Sequence, residues 1–131
     1  MKTLVVDDDF TNRLILQESL KAYGDVHMAA NGEEAVSAVR TALERKEHYD
    51  LICLDIVMPV MNGHDALGQI RSLEEQNGIA LGDGATVMMT TAMDDPANFR
   101  SALKGQCDYY LMKPVDISKL MQFLKSANLT H

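Results

Sequence analysis

Four apolar runs of the sequence end in polar side chains that could do chemistry together. These side chains are three adjacent carboxylates, a separate carboxylate, two hydroxyls and an ammonium: Asp7, Asp8, Asp9, Asp55, Thr90, Thr91 and Lys113. Carboxylates held a few ångströms apart repel one another unless a proton or a cation relieves the repulsion. Because the group offers oxygen ligands with no histidine or cysteine nearby, it favours Mg²⁺, with Mn²⁺ or Ca²⁺ as substitutes, over zinc.

The same set of side chains suits a phosphoryl group. A central carboxylate can attack phosphorus as the nucleophile, the metal ion neutralises the phosphoryl oxygens, and Lys113 with a threonine hydroxyl binds the remaining ones. The expected product is an aspartyl phosphate. Each residue alone is explained as readily by a helix cap, a solvated loop or a surface charge, so the prediction depends on their combination.

The elements that would position these side chains alternate between strands and helices. Short β-branched or apolar runs predict five strands, at residues 3–6, 26–29, 51–54, 85–90 and 109–112. Amphipathic spacing and capping residues predict five helices, at residues 11–23, 33–45, 64–75, 95–105 and, after the cap Asp116, 117–127.

This alternation predicts where the polar side chains meet. Strands joined through helices favour βαβ units, whose right-handed crossovers place helices on both faces of a parallel sheet. We therefore predict a doubly wound α/β domain, for which the common order of five strands is 2-1-3-4-5. In such sheets the ligand binds outside the carboxyl ends of the strands, between strands 1 and 3.

Length, charge and cysteine content limit the class of protein. The chain of 131 residues shows no repeat or linker, so we expect one domain over residues 1–131 with no output domain. The formal charge of −7 opposes direct nucleic-acid binding, and no apolar run is long enough for membrane insertion. Cys53 and Cys107 form no paired motif, which is typical of reduced thiols, and we expect a cytoplasmic protein.

Four motifs occur in fixed order over nearly the whole chain. They are Val5-Val-Asp-Asp-Asp9, Leu54-Asp-Ile-Val-Met-Pro-Val-Met-Asn-Gly63, Thr90-Thr-Ala92 and Tyr110-Leu-Met-Lys-Pro114. Together they resemble the response regulator receiver domain, the CheY-like family of two-component signal transduction. The resemblance implies a flavodoxin-like (βα)5 fold and a receiver domain of the stand-alone type. It also implies a phosphoprotein that is no enzyme but assists its own phosphorylation and dephosphorylation.

The resemblance also implies roles for the acidic residues. Asp55 is the phosphoacceptor, and its donor is a histidine kinase, a phosphotransfer protein or a small molecule such as acetyl phosphate. Asp8 is a direct ligand of Mg²⁺, Asp7 acts mainly through bound water, and the carbonyl group of Val57 is a further ligand.

The switch residues follow from the same resemblance. Thr91 is the hydroxyl that moves to the phosphoryl group, Tyr110 rotates inward behind it, and Lys113 pairs with phosphoryl oxygens. The bond before Pro114 is expected to be cis. The target protein then binds the fifth strand and its flanking helices, where phosphorylation changes the surface.

Two features are expected to distinguish this chain within the family. The connections at residues 45–49 and 75–85 are longer than usual, so partner surfaces are expected to differ. Val57 and Met93 stand two residues after Asp55 and Thr91, and the resemblance implies that these two positions flank the path of the attacking water. Both are apolar, and we expect them to prolong the life of the acyl phosphate.

Other classes of protein share parts of this pattern. Asp7-x-Asp9-x-Thr11 also resembles the nucleophile motif of haloacid-dehalogenase-type phosphatases, with Asp7 as nucleophile and Asp9 as general acid/base. Against this alternative, the chain is short for a cap domain and Asp55 would have no role. A flavin-binding domain conflicts with the acidic loop, which would repel the flavin phosphate. A pseudo-receiver that acts only by protein interaction would not need so complete a site.

Overall fold

The computed structural model describes residues 1–80, 82–92 and 107–129. Within these ranges the strands are β1 (Thr3–Val6), β2 (Val26–Ala29), β3 (Leu51–Asp55), β4 (Thr86–Ala92) and β5 (Tyr109–Lys113). The helices are α1 (Phe10–Leu20), α2 (Gly32–Glu44), α3 (Gly63–Gln76) and α4 (Ile117–Ser126), and a short 3₁₀ helix (Lys21–Tyr23) continues α1. The helix predicted at residues 95–105 lies outside the described ranges.

The five strands form one parallel sheet in the order β2-β1-β3-β4-β5. The predicted doubly wound topology and strand order are therefore confirmed. All five residues of β3 are buried, because a central parallel strand has neighbours on both edges and covered faces. Val6 pairs with Leu54, so the carboxyl ends of β1 and β3 lie side by side.

Apolar side chains form one core on each face of the sheet. Alternate residues of a strand point to opposite faces, so β3 contributes Ile52 and Leu54 to one core and Leu51 and Cys53 to the other. The first core includes buried residues of α2 and α3, and the second includes those of α1 and α4. The amphipathic spacing of α2 is confirmed by the burial of its apolar residues Ala35, Val36, Val39 and Leu43.

Three strands run further toward the predicted site than the sequence indicated. β3 includes Asp55, β5 includes Lys113, and β4 ends at Ala92 rather than at residue 90. Backbone pairing explains the extra length, because Asp55 pairs with Thr90 and Ala92 pairs with Lys113. Backbone hydrogen bonds between strands continue as long as a neighbouring strand is present, even where polar side chains in the sequence indicate a loop.

A buried ion pair secures the long connection between α3 and β4. Glu74 accepts hydrogen bonds from Arg71 Nη1 at 2.8 Å and from the Ala85 N–H at 2.7 Å. Arg71 also donates to the Ala85 carbonyl and to Asp108. These bonds fix the start of β4 at the end of the sheet opposite the predicted site.

None of the helices in the described ranges is long and apolar enough to cross a membrane.

Candidate functional site

Three carboxylates, two that follow β1 and one that ends β3, meet at the carboxyl edge of the sheet. One oxygen each from Asp7, Asp8 and Asp55 lies within 4.8 Å of the others. Asp7 is 2% exposed and Asp55 is 3% exposed, whereas Asp8 faces solvent. Asp8 has no hydrogen bond or ion pair with any residue that the structure describes. Its carboxylate therefore remains available to a cation.

Lys113 is the cation that the structure places among these carboxylates. Its Nζ donates to Asp55 Oδ2 at 2.9 Å and lies 3.2 Å from Asp7 Oδ2. The following peptide bond, Lys113–Pro114, is cis, as expected. One ammonium offsets only one of three carboxylate charges. The remaining negative charge and the set of oxygen ligands fit a hard divalent ion such as Mg²⁺.

The surroundings of Asp55 disfavour its ionised form. Burial raises the pKa of Asp55 to about 6, and the charges of Asp7 and Asp8 also raise it, against the opposing effect of Lys113. Burial alone would lower the pKa of Lys113, but its hydrogen bond to Asp55 and the charges of Asp55 and Asp7 give a net increase. At neutral pH the site therefore holds an ionised but poorly solvated Asp55 beside a protonated Lys113.

Asp9 does not join the carboxylate cluster. Its Oδ1 accepts hydrogen bonds from the N–H groups of Thr11 at 2.8 Å and Asn12 at 3.3 Å, which makes it the N-cap of α1. The sequence could not decide between a helix cap and a fourth clustered carboxylate, because both functions use the same residue type at the same position. The capping bonds also leave Asp9 poorly placed as the general acid of a phosphatase.

Thr91 carries a buried hydroxyl beside the site. Its Oγ1 has no hydrogen-bond partner within the part of the chain that the structure describes. Thr91 shares a face of β4 with Met89, and Tyr110 packs in part against the core on that face. The preceding Thr90 pairs with Asp55 in the sheet. An unpaired buried hydroxyl is costly, so this one is suited to an acceptor that arrives later.

The loop after β3 shapes the mouth of the site. The Val57 N–H donates to Asp55 Oδ1 at 3.3 Å, a long bond, and the Val57 side chain is exposed. Met93, the other apolar residue expected to flank the site, lies outside the described ranges. The position of Val57 is thus next to Asp55, as its spacing predicts.

No pattern in the sequence singles out Arg13 or the outer face of α1 as functional. Arg13 Nη1 donates to the Asp7 carbonyl oxygen at 2.6 Å. Phe10, Leu14 and Ile15 are 61%, 38% and 46% exposed. The apolar residues Leu14, Leu16 and Leu20 among polar neighbours predict an amphipathic helix, but only Leu16 and Leu20 are buried in α1. The one available signal was an excess of apolar residues over what a single inward stripe requires.

Comparison with known proteins identifies the family. A family model described as the response regulator receiver domain matches residues 3–125. The two-component response regulator ORR41 of Oryza sativa subsp. japonica is 34% identical over 125 residues, which cover 92% of this chain and 88% of ORR41. Several other curated relatives are far longer, and the chain spans between 10% and 47% of their length.

Solved structures share the fold of this chain. The receiver domain of the histidine kinase CKI1 from Arabidopsis thaliana, complexed with Mg²⁺, matches with a TM-score of 0.82 and 26% identity, covering 96% of this chain and 90% of that one. The co-crystal structure of the Saccharomyces cerevisiae phosphotransfer protein Ypd1 and the receiver domain of Ssk1 matches with a TM-score of 0.80 and 30% identity, covering 95% and 86%. Nothing in these matches supports the phosphatase alternative. The chain belongs to the response regulator receiver domain family, a family of signalling domains and not of classical enzymes.

Proposed function

We propose that Asp55 accepts a phosphoryl group in a Mg²⁺-dependent reaction and that this modification switches a protein-binding surface. The observation that carries the proposal is the position of Asp55, buried between two further carboxylates and Lys113. Asp7 Oδ1 is held by a 2.8 Å bond from the Asp9 N–H, whereas among the described residues Asp55 Oδ1 receives only the 3.3 Å bond from Val57. Asp55 therefore has the oxygen that is freer to attack.

The residues that would hold Mg²⁺ are the three clustered carboxylates and a main-chain oxygen. Asp8 would be a direct ligand, Asp7 would act mainly through water, and Asp55 and the Val57 carbonyl would complete the protein ligands. When bound, the ion supplies neutralisation of the negative charge on the phosphoryl oxygens. The spacing of the ligand atoms, within 4.8 Å of one another, supports this assignment. Mn²⁺ or Ca²⁺ are proposed substitutes.

The transfer forms one bond and breaks one bond. An oxygen of Asp55 bonds to phosphorus while the bond between phosphorus and the imidazole nitrogen of the donor breaks. The imidazole keeps the electron pair and takes a proton from solvent. Lys113 then pairs with a phosphoryl oxygen, and the Thr91 hydroxyl donates to another. Tyr110 fills the space that Thr91 leaves, which carries the change toward β5.

The donor is proposed to be a histidine kinase or a histidine phosphotransfer protein. The exposed apolar side chains of Phe10, Leu14 and Ile15 stand on the helix that begins at the site. Exposed apolar residues that are contiguous are typical of a protein-binding surface. The co-crystal of Ypd1 and the Ssk1 receiver domain supports a donor of this class. The donor and the protein operate, we propose, in the cytoplasm.

The output surface is proposed to be β5 with its flanking helices. Tyr109 of β5 stacks on Phe123 of α4, with ring centroids 4.4 Å apart, and Met112, whose side chain points to the opposite face of β5, is also exposed. Residues 95–105, the other predicted flank, lie outside the described ranges. The switch pair Thr91 and Tyr110 lies on the two strands nearest this surface. A movement of that pair would thus alter what a target protein contacts.

The lifetime of the phosphorylated form is proposed to depend on Val57 and Met93. The Val57 N–H contacts Asp55 and the Val57 side chain is exposed at the mouth of the site, so we propose that this side chain limits the approach of water to the acyl phosphate. Replacing both residues with asparagine is expected to speed decay several-fold, measured as loss of phosphorylated mass over time. An unchanged decay rate would refute the shielding role.

Intact-mass analysis tests the main proposal. The wild type, Asp55→Asn and Asp7→Asn are incubated with acetyl phosphate and Mg²⁺. We expect one phosphoryl group on the wild type, none on Asp55→Asn, and slower addition to Asp7→Asn. Labelling that persists in Asp55→Asn but vanishes in Asp7→Asn would instead favour the phosphatase mechanism. If neither the wild type nor any variant is labelled, the result would favour a pseudo-receiver that acts only by protein interaction.

A further inference from the structure

Arg13 reaches from α1 back to the end of β1. Its Nη1 donates to the Asp7 carbonyl oxygen at 2.6 Å, across six residues of sequence. A hydrogen bond with an ionised donor is short and strong. The proposed phosphoryl transfer assigns no part to this side chain. Its contact nevertheless lies on the main chain of a residue in the acidic cluster.

The Arg13 bond closes a turn that is already tied together by other bonds. The Asp9 N–H donates to Asp7 Oδ1 at 2.8 Å, and the Arg13 N–H donates to the Asp9 carbonyl at 3.1 Å. Pairing of this strand end with β2 finishes at the bond from the Asp7 N–H to the Ala29 carbonyl. Arg13 thus takes the place of a strand partner for the Asp7 carbonyl.

The guanidinium is itself held in place. It lies over the ring of Phe10, with Cζ 5.6 Å from the ring centroid. A cation over an aromatic face is attracted to it, which limits the orientations open to the Arg13 side chain. The contact aims the Nη1 donor at the turn rather than at solvent.

We infer that Arg13 is a positioning residue for the Asp7–Asp8 pair, acting through the main chain of Asp7. The inference deepens the proposed function and rests on it. Because Asp8 has no partner of its own in the described part of the chain, the turn is what sets the direction of its carboxylate. Loosening the turn should therefore weaken Mg²⁺ binding.

The charge of Arg13 would act in the opposite direction. A guanidinium near the acidic cluster repels a divalent cation, so removal of the charge alone would strengthen Mg²⁺ binding. The side chain is partly exposed, and water and salt screen this repulsion. The sign of the change in Mg²⁺ affinity therefore separates a positioning role from a purely electrostatic one.

Calorimetric titration of the full chain with Mg²⁺ alone tests the inference. We expect Arg13→Ala to raise the dissociation constant about tenfold, equivalent to about 1.4 kcal/mol. Arg13→Lys, which keeps a donor able to reach the carbonyl, should recover most of the loss. Arg40→Ala, at an exposed position on α2, is the matched control and should bind as the wild type does. At saturating Mg²⁺, Arg13→Ala should regain the wild-type rate of labelling by acetyl phosphate.

Three outcomes would overturn the positioning role. These are an Arg13→Ala variant that binds Mg²⁺ as tightly as the wild type or more tightly, an Arg13→Lys variant as weak as Arg13→Ala, and a labelling defect that saturating Mg²⁺ does not relieve. If Arg13→Ala fails to fold, Arg13→Lys and Arg13→Gln carry the same comparison. A wild type that binds Mg²⁺ but takes no phosphoryl group would refute the proposed function, while the affinities would still decide the role of Arg13.

Discussion

Asp55 lowers the stability of the folded chain when it is ionised. Its pKa is raised from 3.8 to about 6 by burial, so the folded state holds the proton more tightly than the unfolded state does. The protonated form stabilises the folded chain fully below about pH 4, and this contribution is lost as the pH rises through 6. We predict that Asp55→Asn raises the free energy of unfolding of the metal-free protein by about 2 kcal/mol at pH 7.5, and by less than half as much at pH 4.5.

Urea unfolding in the presence of a chelator measures this difference at both pH values. Asp83→Asn is the matched control, because Asp83 is an exposed carboxylate in the long connection. Its effect should be small at either pH. A gain for Asp55→Asn that is equal at the two pH values would show that relief of the buried charge is not its cause.

Thr3 carries a second buried hydroxyl without a partner among the described residues. Thr3 lies at the start of β1, far from the carboxyl edge of the sheet, so no ligand is expected to reach it. We predict that Thr3→Val raises the free energy of unfolding by about 1 kcal/mol, because it removes an unsatisfied polar group and keeps the branched shape. Thr41→Val, at an exposed position of α2, should give no such gain in the same denaturation assay. A loss of stability in Thr3→Val would mean that the hydroxyl has a partner.

The positions of the strands and helices in the described ranges could be predicted because their sequences carry local patterns of apolar spacing and capping residues. A continuous apolar run is typical of a buried strand and predicts β3. Apolar residues at helical spacing predict α2, where they are Ala35, Val36, Val39 and Leu43. The ends of the strands could not be predicted, since β4 extends to Ala92 through pairing with Lys113, a partner distant in sequence. Local propensity does not include such a partner.

The candidate site was predictable in its acidic residues but not in its supporting contacts. Asp7, Asp8 and Asp55 follow from residue type and from the rule that strand ends share an edge. Asp9 as a cap and Arg13 as a support depend on how the β1–α1 turn closes in three dimensions. A single sequence gives no measure of that closure.

Two glycines, Gly68 in α3 and Gly84 in the connection between α3 and β4, offer a matched test of packing. A Cβ on Gly84 would clash with the carboxylate of Glu74, whereas a Cβ on Gly68 would meet nothing within 4 Å. We predict that Gly84→Ala lowers the free energy of unfolding by about 2 kcal/mol, because it displaces the Glu74 carboxylate that pairs with Arg71 and the Ala85 N–H. Gly68→Ala should stabilise the protein by about 1 kcal/mol, since alanine favours an exposed helical position.

Thermal unfolding of the two alanine variants checks the prediction. Gly84→Ala should unfold at a lower temperature than the wild type and Gly68→Ala at a higher one. Equal changes in the two variants would contradict the view that the Arg71–Glu74 pair needs the space beside Gly84. The double variant Gly84→Ala/Glu74→Gln should show coupling between the two positions, because they are in direct contact.

At the scale of the molecule, the site exists only when the sheet is formed. Asp7 and Asp8 follow β1, Asp55 ends β3, and Lys113 ends β5, so the ligand atoms come from segments far apart in sequence. An unfolded chain cannot hold these oxygens within 4.8 Å of one another. Mg²⁺ should therefore bind the folded chain and not the unfolded one, and its binding free energy should add to the stability of the whole domain.

We predict that the free energy of unfolding rises with Mg²⁺ at pH 7.5 by about 1.4 kcal/mol for each tenfold increase in free ion above the dissociation constant. Urea unfolding at constant ionic strength, with NaCl replacing MgCl₂, measures the slope and removes general salt effects. Asp8→Asn should reduce this slope, because Asp8 is the member of the acidic cluster that has no other partner in the described ranges. The slope should also fall below pH 6, where protons compete for Asp55. If the free energy of unfolding of the wild type does not change with Mg²⁺ concentration, the acidic cluster holds no ion. The metal-dependent step proposed for Asp55 would then be wrong.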